Sequence, residues 1–223
     1  MADLGEGTTP HPPATPEFGL VSPGGPAHEY PAQGNVHVVK LSVGPYDNNV
    51  YLLSSSGQAI VVDGAAEPDR IIREVSFRSL TVSAIVETHN HPDHTAALPA
   101  LVAALNAPVR AHPADRMPVP TDSLEDGQRV QVGEAEVVVF HTPGHTPGSL
   151  SYLVEGFLFS GDTLFPGGPG NTEGGPAAFD EIMRSVDRLF ELPDDTRVCP
   201  GHGLDTTIGR ERPHLEVWRK RRW

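Results

Sequence analysis

The sequence predicts a domain of mixed α and β structure, an α+β fold, from two kinds of pattern and from its size. Short apolar runs bounded by Gly, Pro and Ser predict strands, and apolar residues at helical spacing predict helices between them. The chain has 223 residues, of which 38% are hydrophobic, so it is long enough for one well-buried domain. Periodicity alone does not say how the layers are arranged.

The strand candidates are apolar runs that end at turn residues or at Gly-rich loops. Glu155-Gly156 joins two of them in a hairpin pattern, and Ser54 to Gly57 joins another pair. The predicted strands are 36–43, 51–53, 59–62, 82–86, 108–111, 137–140, 150–154, 157–160 and 197–199.

Four segments are predicted to be helical. The first, 67–79, has Pro68 suited to its first turn, and the second, 95–105, has Pro99 near its start. The third, 179–190, carries six apolar residues at helical spacing. The last lies within 207–221 and is expected to break near Pro213.

The first 34 residues differ from the rest, with seven prolines, six glycines and no periodic apolar pattern. We interpret residues 1–34 as an irregular arm that drapes over the domain or contacts a neighbour, and residues 35–223 as the domain itself.

Charge and composition limit the classes of partner that we expect this chain to bind. The formal charge of −13 disfavours nucleic acid. No run approaches the roughly 18 apolar residues that span a bilayer, and the chain lacks a signal-like pattern, so we expect a cytoplasmic protein with no membrane partner. Cys199 is the only cysteine and is expected to be buried and inert. The oligomeric state is left open.

The most informative segment is His-Asn-His-Pro-Asp-His, which directly follows the strand predicted at 82–86. It places His89, His91, Asp93 and His94 within six residues. Imidazole and carboxylate together suit zinc, iron or manganese. A strand running into a loop can turn His89 and His91 toward one ion and the other two toward a second ion beside it. Each ion then needs further ligands from later in the chain.

Three later positions meet this requirement, each just beyond a strand candidate in a Gly-rich loop. They are His145 in His-Thr-Pro-Gly-His-Thr-Pro-Gly, Asp162 after Ser-Gly, and His202 in Pro-Gly-His-Gly. Such loops can bend the backbone around an ion.

These motifs, together with Asp63 in Val-Val-Asp-Gly, make the chain resemble the metallo-β-lactamase superfamily over roughly residues 35–210. Within it, the chain resembles the glyoxalase II-like (hydroxyacylglutathione hydrolase-like) branch in a short form without the C-terminal helical domain. The resemblance implies a four-layer αββα sandwich and two divalent metal ions, with zinc as the first choice and iron or manganese as alternatives. It assigns His89, His91 and His145 to one ion, Asp93, His94 and His202 to the other, Asp162 as the bridge and Asp63 as a buried carboxylate that steadies the ligand loop.

The implied activity is hydrolysis of a small-molecule thioester by a metal-bridging hydroxide, with Asp93 orienting this nucleophile as the catalytic residue. Lactonase and β-lactamase-like activities occur on the same scaffold and stay open. A mononuclear iron persulfide dioxygenase, which uses two His and one Asp, is the main alternative, with His89, His145 and Asp162 as its triad. A metal-binding but catalytically idle partner protein is a further alternative, disfavoured because every ligand position is filled.

Substrate recognition departs from the resemblance. Glyoxalase II enzymes typically place a basic residue and an aromatic pair in the loop after the bridging Asp. Here Asn171 stands at the basic position and no aromatic follows it. We therefore predict Asn171 as a substrate-binding residue and leave the thiol and acyl groups open.

Overall fold

The computed structural model describes residues 18–172 and 174–222. Two sheets carry nearly all of the strands. The first sheet has the spatial order β1 to β7, namely His28–Glu29, His37–Val43, Asn48–Ser55, Gln58–Val62, Thr81–Val86, Val109–Ala111 and Asp122–Ser123. Its pairs are antiparallel up to β4 and parallel from β4 onward.

The second sheet has the spatial order β15-β14-β11-β10-β9-β8. Its strands are β8 (Arg129–Val132), β9 (Ala135–His141), β10 (Leu150–Val154), β11 (Phe157–Gly161), β14 (Arg197–Pro200) and β15 (Thr206–Thr207). Within this second sheet, β11 and β14 pair in parallel, and the other neighbouring strands pair antiparallel. A separate two-stranded ribbon joins β12 (Leu164–Phe165) to β13 (Gly168–Pro169).

The helices are α1 (Pro68–Phe77), α2 (Pro92–Thr95), α3 (Leu98–Leu105), α4 (Gly175–Leu189), α5 (Ile208–Glu211) and α6 (Leu215–Arg221), with a 3-10 turn at Arg212–His214. The last three elements confirm the predicted break near Pro213. The predicted helix 95–105 is interrupted, because Pro99 within a continuous helix would collide with the carbonyl of residue 95. Instead, α3 begins afresh at Leu98 with Pro99 in its first turn, and the Ala97 amide donates to Gly64.

The alternation of side-chain direction along each strand explains why helices cover the outer face of each sheet. In β3, Tyr51 and Leu53 point into a core between the two sheets, while Leu52 faces α1 and α3 on the outside. In β11, Phe157 joins the central core and Leu158 packs under α4 and α6. Successive side chains of a strand point to opposite faces, so strands covered on both faces read as continuous apolar runs. The predicted αββα sandwich is confirmed.

Part of the predicted N-terminal arm contributes to the fold. β1 pairs with β2, and Tyr30 is buried in the central core. Residues 1–17 of the arm lie outside the described residues, and the domain division at residue 34 stays a prediction.

Candidate metal centre

Asp63 fixes both ends of the His89–His94 segment. This carboxylate is buried at the end of β4, where its backbone adopts a left-handed conformation (φ 64°). Its Oδ1 accepts from the Thr88 amide at 2.7 Å, and its Oδ2 accepts from the Thr88 hydroxyl at 2.9 Å. His94 Nδ1 lies 2.9 Å from the same Oδ2. This contact places the His94 proton on Nδ1 and leaves Nε2 free to act as a ligand.

Three imidazoles converge on one point. His91 Nδ1 lies 3.1 Å from His89 Nε2 and 3.0 Å from His145 Nε2. A proton shared between two nitrogens stabilises only one of these close pairs, whereas a cation at the centre would be bound by all three nitrogens. Zinc-nitrogen bonds of about 2.0–2.1 Å in a tetrahedral site put ligand nitrogens about 3.3 Å apart, close to these separations. His145 is aimed inward because its Nδ1 faces the backbone carbonyl of Asn171 at 2.7 Å.

A second trio lies beside the first. His94 Nε2 and His202 Nε2 are 3.0 Å apart, and Asp93 Oδ2 lies 3.7 Å and 3.5 Å from them, respectively. The Asn48 amide donates to Asp93 Oδ2 at 3.0 Å, and His202 Nδ1 faces the Tyr46 carbonyl at 2.8 Å. Each ligand is therefore oriented by a hydrogen bond from outside the trio.

Asp162 lies between the two trios, at the end of β11. Its Oδ2 is 3.6 Å from His145 Nε2 and 3.4 Å from His202 Nε2. Its Oδ1 is buried without a hydrogen-bond partner, 3.6 Å from His94 Nε2. Buried carboxylate oxygens without partners are rare in proteins, and a bound cation explains this one. The residues present therefore fit two adjacent divalent ions.

Electrostatics agrees with a cation site. Burial raises the pKa of Asp162, but a hydrogen bond with His202 and the charge of His94 outweigh it and hold the pKa well below the usual range. Burial lowers the pKa of His89 well below normal, so this ring is neutral and ready to ligate. Burial also lowers the pKa of His94, but the hydrogen bond to Asp63 and its charge raise that pKa to about 9. Metal uptake at His94 therefore releases a proton.

A buried ion pair supports the loop that carries His202. Lys40 and Asp205 are fully buried, and Lys40 Nζ lies 2.9 Å from Asp205 Oδ1 and donates to the Gly203 carbonyl at 2.6 Å. Tyr30 donates to the other carboxylate oxygen at 2.8 Å. This pair ties the end of the His202 loop to β2.

Gly201 allows the same loop to close on the centre. A Cβ at this position would lie 2.2 Å from Asp162 Oδ1 and 2.7 Å from His94 Cε1, so any side chain would push the loop away. The glycine of Pro-Gly-His-Gly is therefore needed for close approach rather than for flexibility.

The structure brings all seven predicted ligands together in three overlapping sets whose ligand atoms lie within 4.8 Å of one another. The sets are His89, His91 and His145; His89, His94 and Asp162; and Asp93, His94 and His202. Asp63 lies against the ligand loop, where it accepts hydrogen bonds from Thr88 and contacts His94. Among the described residues, the Asn171 side chain accepts a hydrogen bond from the amide of Thr172, and the backbone carbonyl of Asn171 orients His145, so a substrate-binding role for the Asn171 side chain stays a prediction.

Sequence reasoning missed three supporting residues. Asn48 and the pair of Lys40 and Asp205 lie far from the ligands in sequence. Lys40 carries a signal, because a lysine inside the apolar run 38–43 has to find a buried partner. Asn48 and Asp205 lie in turn-like segments that give no such indication.

Comparison with known proteins agrees with the fold and the ligand pattern. The family described as the metallo-beta-lactamase superfamily matches residues 43–202. The chain therefore belongs to the metallo-β-lactamase superfamily.

Relatives in this superfamily include two that are named hydroxyacylglutathione hydrolase. A hydroxyacylglutathione hydrolase of Methylobacillus flagellatus is 39% identical over 185 residues, covering 79% of this chain and 72% of the relative. The match to a hydroxyacylglutathione hydrolase of Albidiferax ferrireducens, at 38% identity over 70% of this chain, covers 62% of that relative.

Two solved structures share the fold at comparable identity. ETHE1 from Myxococcus xanthus has a TM-score of 0.73 and 32% identity over 79% of this chain and 81% of its own. TTHA1623, solved in a di-iron-bound form, has a TM-score of 0.69 and 32% identity over 78% of this chain and 96% of its own. Within the part of the chain that the structure describes, no helix is long and apolar enough to cross a membrane.

Proposed function

We propose that this protein is a binuclear metal-dependent hydrolase that acts on a small-molecule thioester. The observation that carries the proposal is the pair of ligand trios with the orphaned Asp162 oxygen between them. Zinc is the first choice of metal, with iron or manganese as alternatives. Similarity to proteins named hydroxyacylglutathione hydrolase supports the thioester. A cytoplasmic location, and the expectation of neither nucleic-acid nor membrane partners, stay predictions.

When bound, two divalent ions in such a site lower the pKa of water and polarise a carbonyl group. The protein supplies the orientation. Asp93 is 30% exposed at the mouth of the centre, and Asn48 holds one of its oxygens. Burial raises the pKa of Asp93, but the Asn48 hydrogen bond and the His94 charge lower it below the usual value. Asp93 is therefore an ionised acceptor, suited to orient the attacking water.

The overall reaction adds the oxygen of one water to the thioester carbonyl carbon and breaks the carbon-sulfur bond. The products are a carboxylate and a thiol. Next to Asp93 and His202, a cavity of about 610 Å³ is lined by Pro45, Tyr46, Ala65, Ala66 and Ala96 among others. This cavity gives the substrate a mostly apolar wall beside the reacting centre.

The direct test is hydrolysis of S-D-lactoylglutathione by purified protein, with metal counted on the same sample and a chelated control. We expect chelator-sensitive turnover with close to two metals per chain. Absence of turnover with two metals keeps the hydrolase and rejects this thioester.

A mononuclear iron persulfide dioxygenase is the second candidate, and the similarity to ETHE1 favours keeping it. His145 and Asp162 of its proposed triad lie 3.6 Å apart. About one iron per chain, with no thioester hydrolysis but oxygen consumption with a thiol persulfide, would support this candidate instead.

A further inference from the structure

A second groove lies next to the cavity at the metal centre. It has a volume of about 440 Å³ and is lined by Asn90, Thr95, Arg116 and Met117 among others. Pro92 and Ala96 line both spaces, so the exposed turn of α2 is a shared wall between them. Asn90 stands between the ligands His89 and His91 in sequence. The groove is therefore an extension of the active-site region.

Arg116 is the charged residue of this groove, and its guanidinium is free. The side chain is exposed, and it forms no hydrogen bond or ion pair with any residue in 18–172 or 174–222. Many arginines of this acidic chain are paired instead, for example Arg188 with Asp126 and Arg219 with Asp187. A guanidinium offers donors in a planar fork that matches a carboxylate. Arg116 is thus available to an external anion.

The loop that carries Arg116 is fixed to the loop that carries His145. The neighbouring Asp115 is buried, and its two oxygens accept from the Thr146 hydroxyl at 2.6 Å and from the Gly148 amide at 2.8 Å. A Cβ on Gly148 would lie 2.6 Å from the Asp115 carboxyl carbon, so this contact requires glycine. Because Thr146 follows His145 directly, the same contacts hold the backbone at Arg116 at a set position relative to a metal ligand.

The negative charge of the protein favours a local cation, in addition to the metal ions, for a substrate that carries an anionic group away from its carbonyl. The formal net charge is −13, so an anion is repelled by the overall field unless a local positive group offsets it. The loop after Asp162 supplies no such group, because Asn171 stands at the position expected to be basic. Arg116 supplies one from a different loop.

We propose that Arg116 binds a carboxylate on the thiol half of the substrate. The inference rests on the proposed thioester hydrolysis for the identity of the ligand. A group that reaches Arg116 from the metal centre must cross the turn formed by Pro92 and Ala96, so it belongs to a long arm of the substrate. The carboxylate that Arg116 would bind therefore belongs to the far end of the thiol, beside Met117 and Pro118, which also line the groove.

Binding of S-methylglutathione to metal-loaded protein tests this assignment without requiring turnover. Isothermal calorimetry at low salt compares wild type with Arg116→Gln and Arg116→Glu. The matched control is Arg73→Gln, which removes the same charge from an exposed position on α1 outside both grooves. The diethyl ester of the ligand, which lacks the carboxylates, is the control ligand.

We expect Arg116→Gln to weaken binding of S-methylglutathione roughly threefold to tenfold, and Arg116→Glu to weaken it further. Binding of the ester should not change, nor should binding by Arg73→Gln. The difference should shrink at high salt, because the contact is exposed. Equal affinity of wild type and Arg116→Gln, an equal loss with the ester, or no measurable binding by wild type would overturn the proposal.

Kinetics separates this inference from the proposed function. If S-D-lactoylglutathione is hydrolysed, Arg116→Gln should raise KM with little change in kcat, since the contact lies away from the reacting atoms. Hydrolysis with identical KM in both proteins rejects the role of Arg116 and keeps the hydrolase. Loss of S-methylglutathione binding in Arg116→Gln, with no hydrolysis of S-D-lactoylglutathione by wild type, keeps the anion site and rejects this thioester as the substrate.

Discussion

Replacing Asp205 with Asn should destabilise the protein strongly, although residue 205 contacts no ligand side chain. The substitution leaves the Lys40 ammonium fully buried with no negative charge opposite it, so that only neutral oxygens such as the Gly203 carbonyl can accept its hydrogen bonds. Breaking a buried pair by removing one charge costs about 3–5 kcal/mol. In a domain of this size, each kcal/mol shifts the melting temperature by about 2–4 °C, so we expect a fall of roughly 6–20 °C.

A double-mutant cycle assigns the loss to the pair. Lys40→Met alone should also destabilise, because it leaves the Asp205 carboxylate buried with only Tyr30 and the partly exposed Arg197 as its partners among the described residues. The double variant Lys40→Met/Asp205→Asn should be less destabilised than the sum of the single variants, since neither charge is then left behind. The measurement is denaturant and thermal unfolding of metal-depleted proteins, so that metal binding does not contribute.

Metal counting extends the test to the site. The ion pair holds the loop of His202, so Asp205→Asn should weaken metal binding by the trio of Asp93, His94 and His202 more than by the other. A fall in melting temperature below about 3 °C, or single-variant effects that simply add, would refute the reasoning from the buried charge.

Three further predictions concern the centre itself. Asp162→Asn should lose metal at both trios and most activity, because it removes the charge between them; full metal content and rate would contradict the assignment of Asp162. Asp63→Asn should lower metal affinity about tenfold to a hundredfold, because an amide cannot accept all of the hydrogen bonds from Thr88 and His94; competition with a chromogenic chelator measures this, and an unchanged affinity would show that Asp63 does not orient the ligands. Removing metal with a chelator should lower thermal stability, by about 2.7 kcal/mol relative to protein held at one hundred times Kd, and readdition should restore it; equal melting curves would argue against binding to the folded state alone.

Strand periodicity and ligand spacing predicted most of this architecture. The apolar runs of β2, β4 and β11 are covered on both faces, which makes them conspicuous in sequence. β8 was missed, because it is a four-residue segment with only two apolar residues, and the ribbon of β12 and β13 is formed partly by Gly and Pro. Two-residue strands of this kind depend on their neighbours more than on their own sequence.

The residues of the site also divide into those that the sequence predicted and those that it did not. His89, His145 and His202 follow strands and could be predicted, because loops after strands are where ligands collect. The one-turn helix that carries Asp93 and His94 is too short for periodicity to reveal. Lys40 and Asp205 lie 165 residues apart, and nothing local in the sequence links them. Arg116 was also missed, since its role depends on a loop held in place by Asp115.

The two sheets contribute separate halves of the metal centre. His89, His91, Asp93 and His94 follow β5 of the first sheet, whereas His145, Asp162 and His202 follow strands of the second. Metal binding by both trios would therefore hold the two sheets together at the edge of the sandwich where the apolar core between them ends. We therefore expect metal loading to lengthen the lifetime of the folded chain, and protease resistance of this edge is the measurement that checks it.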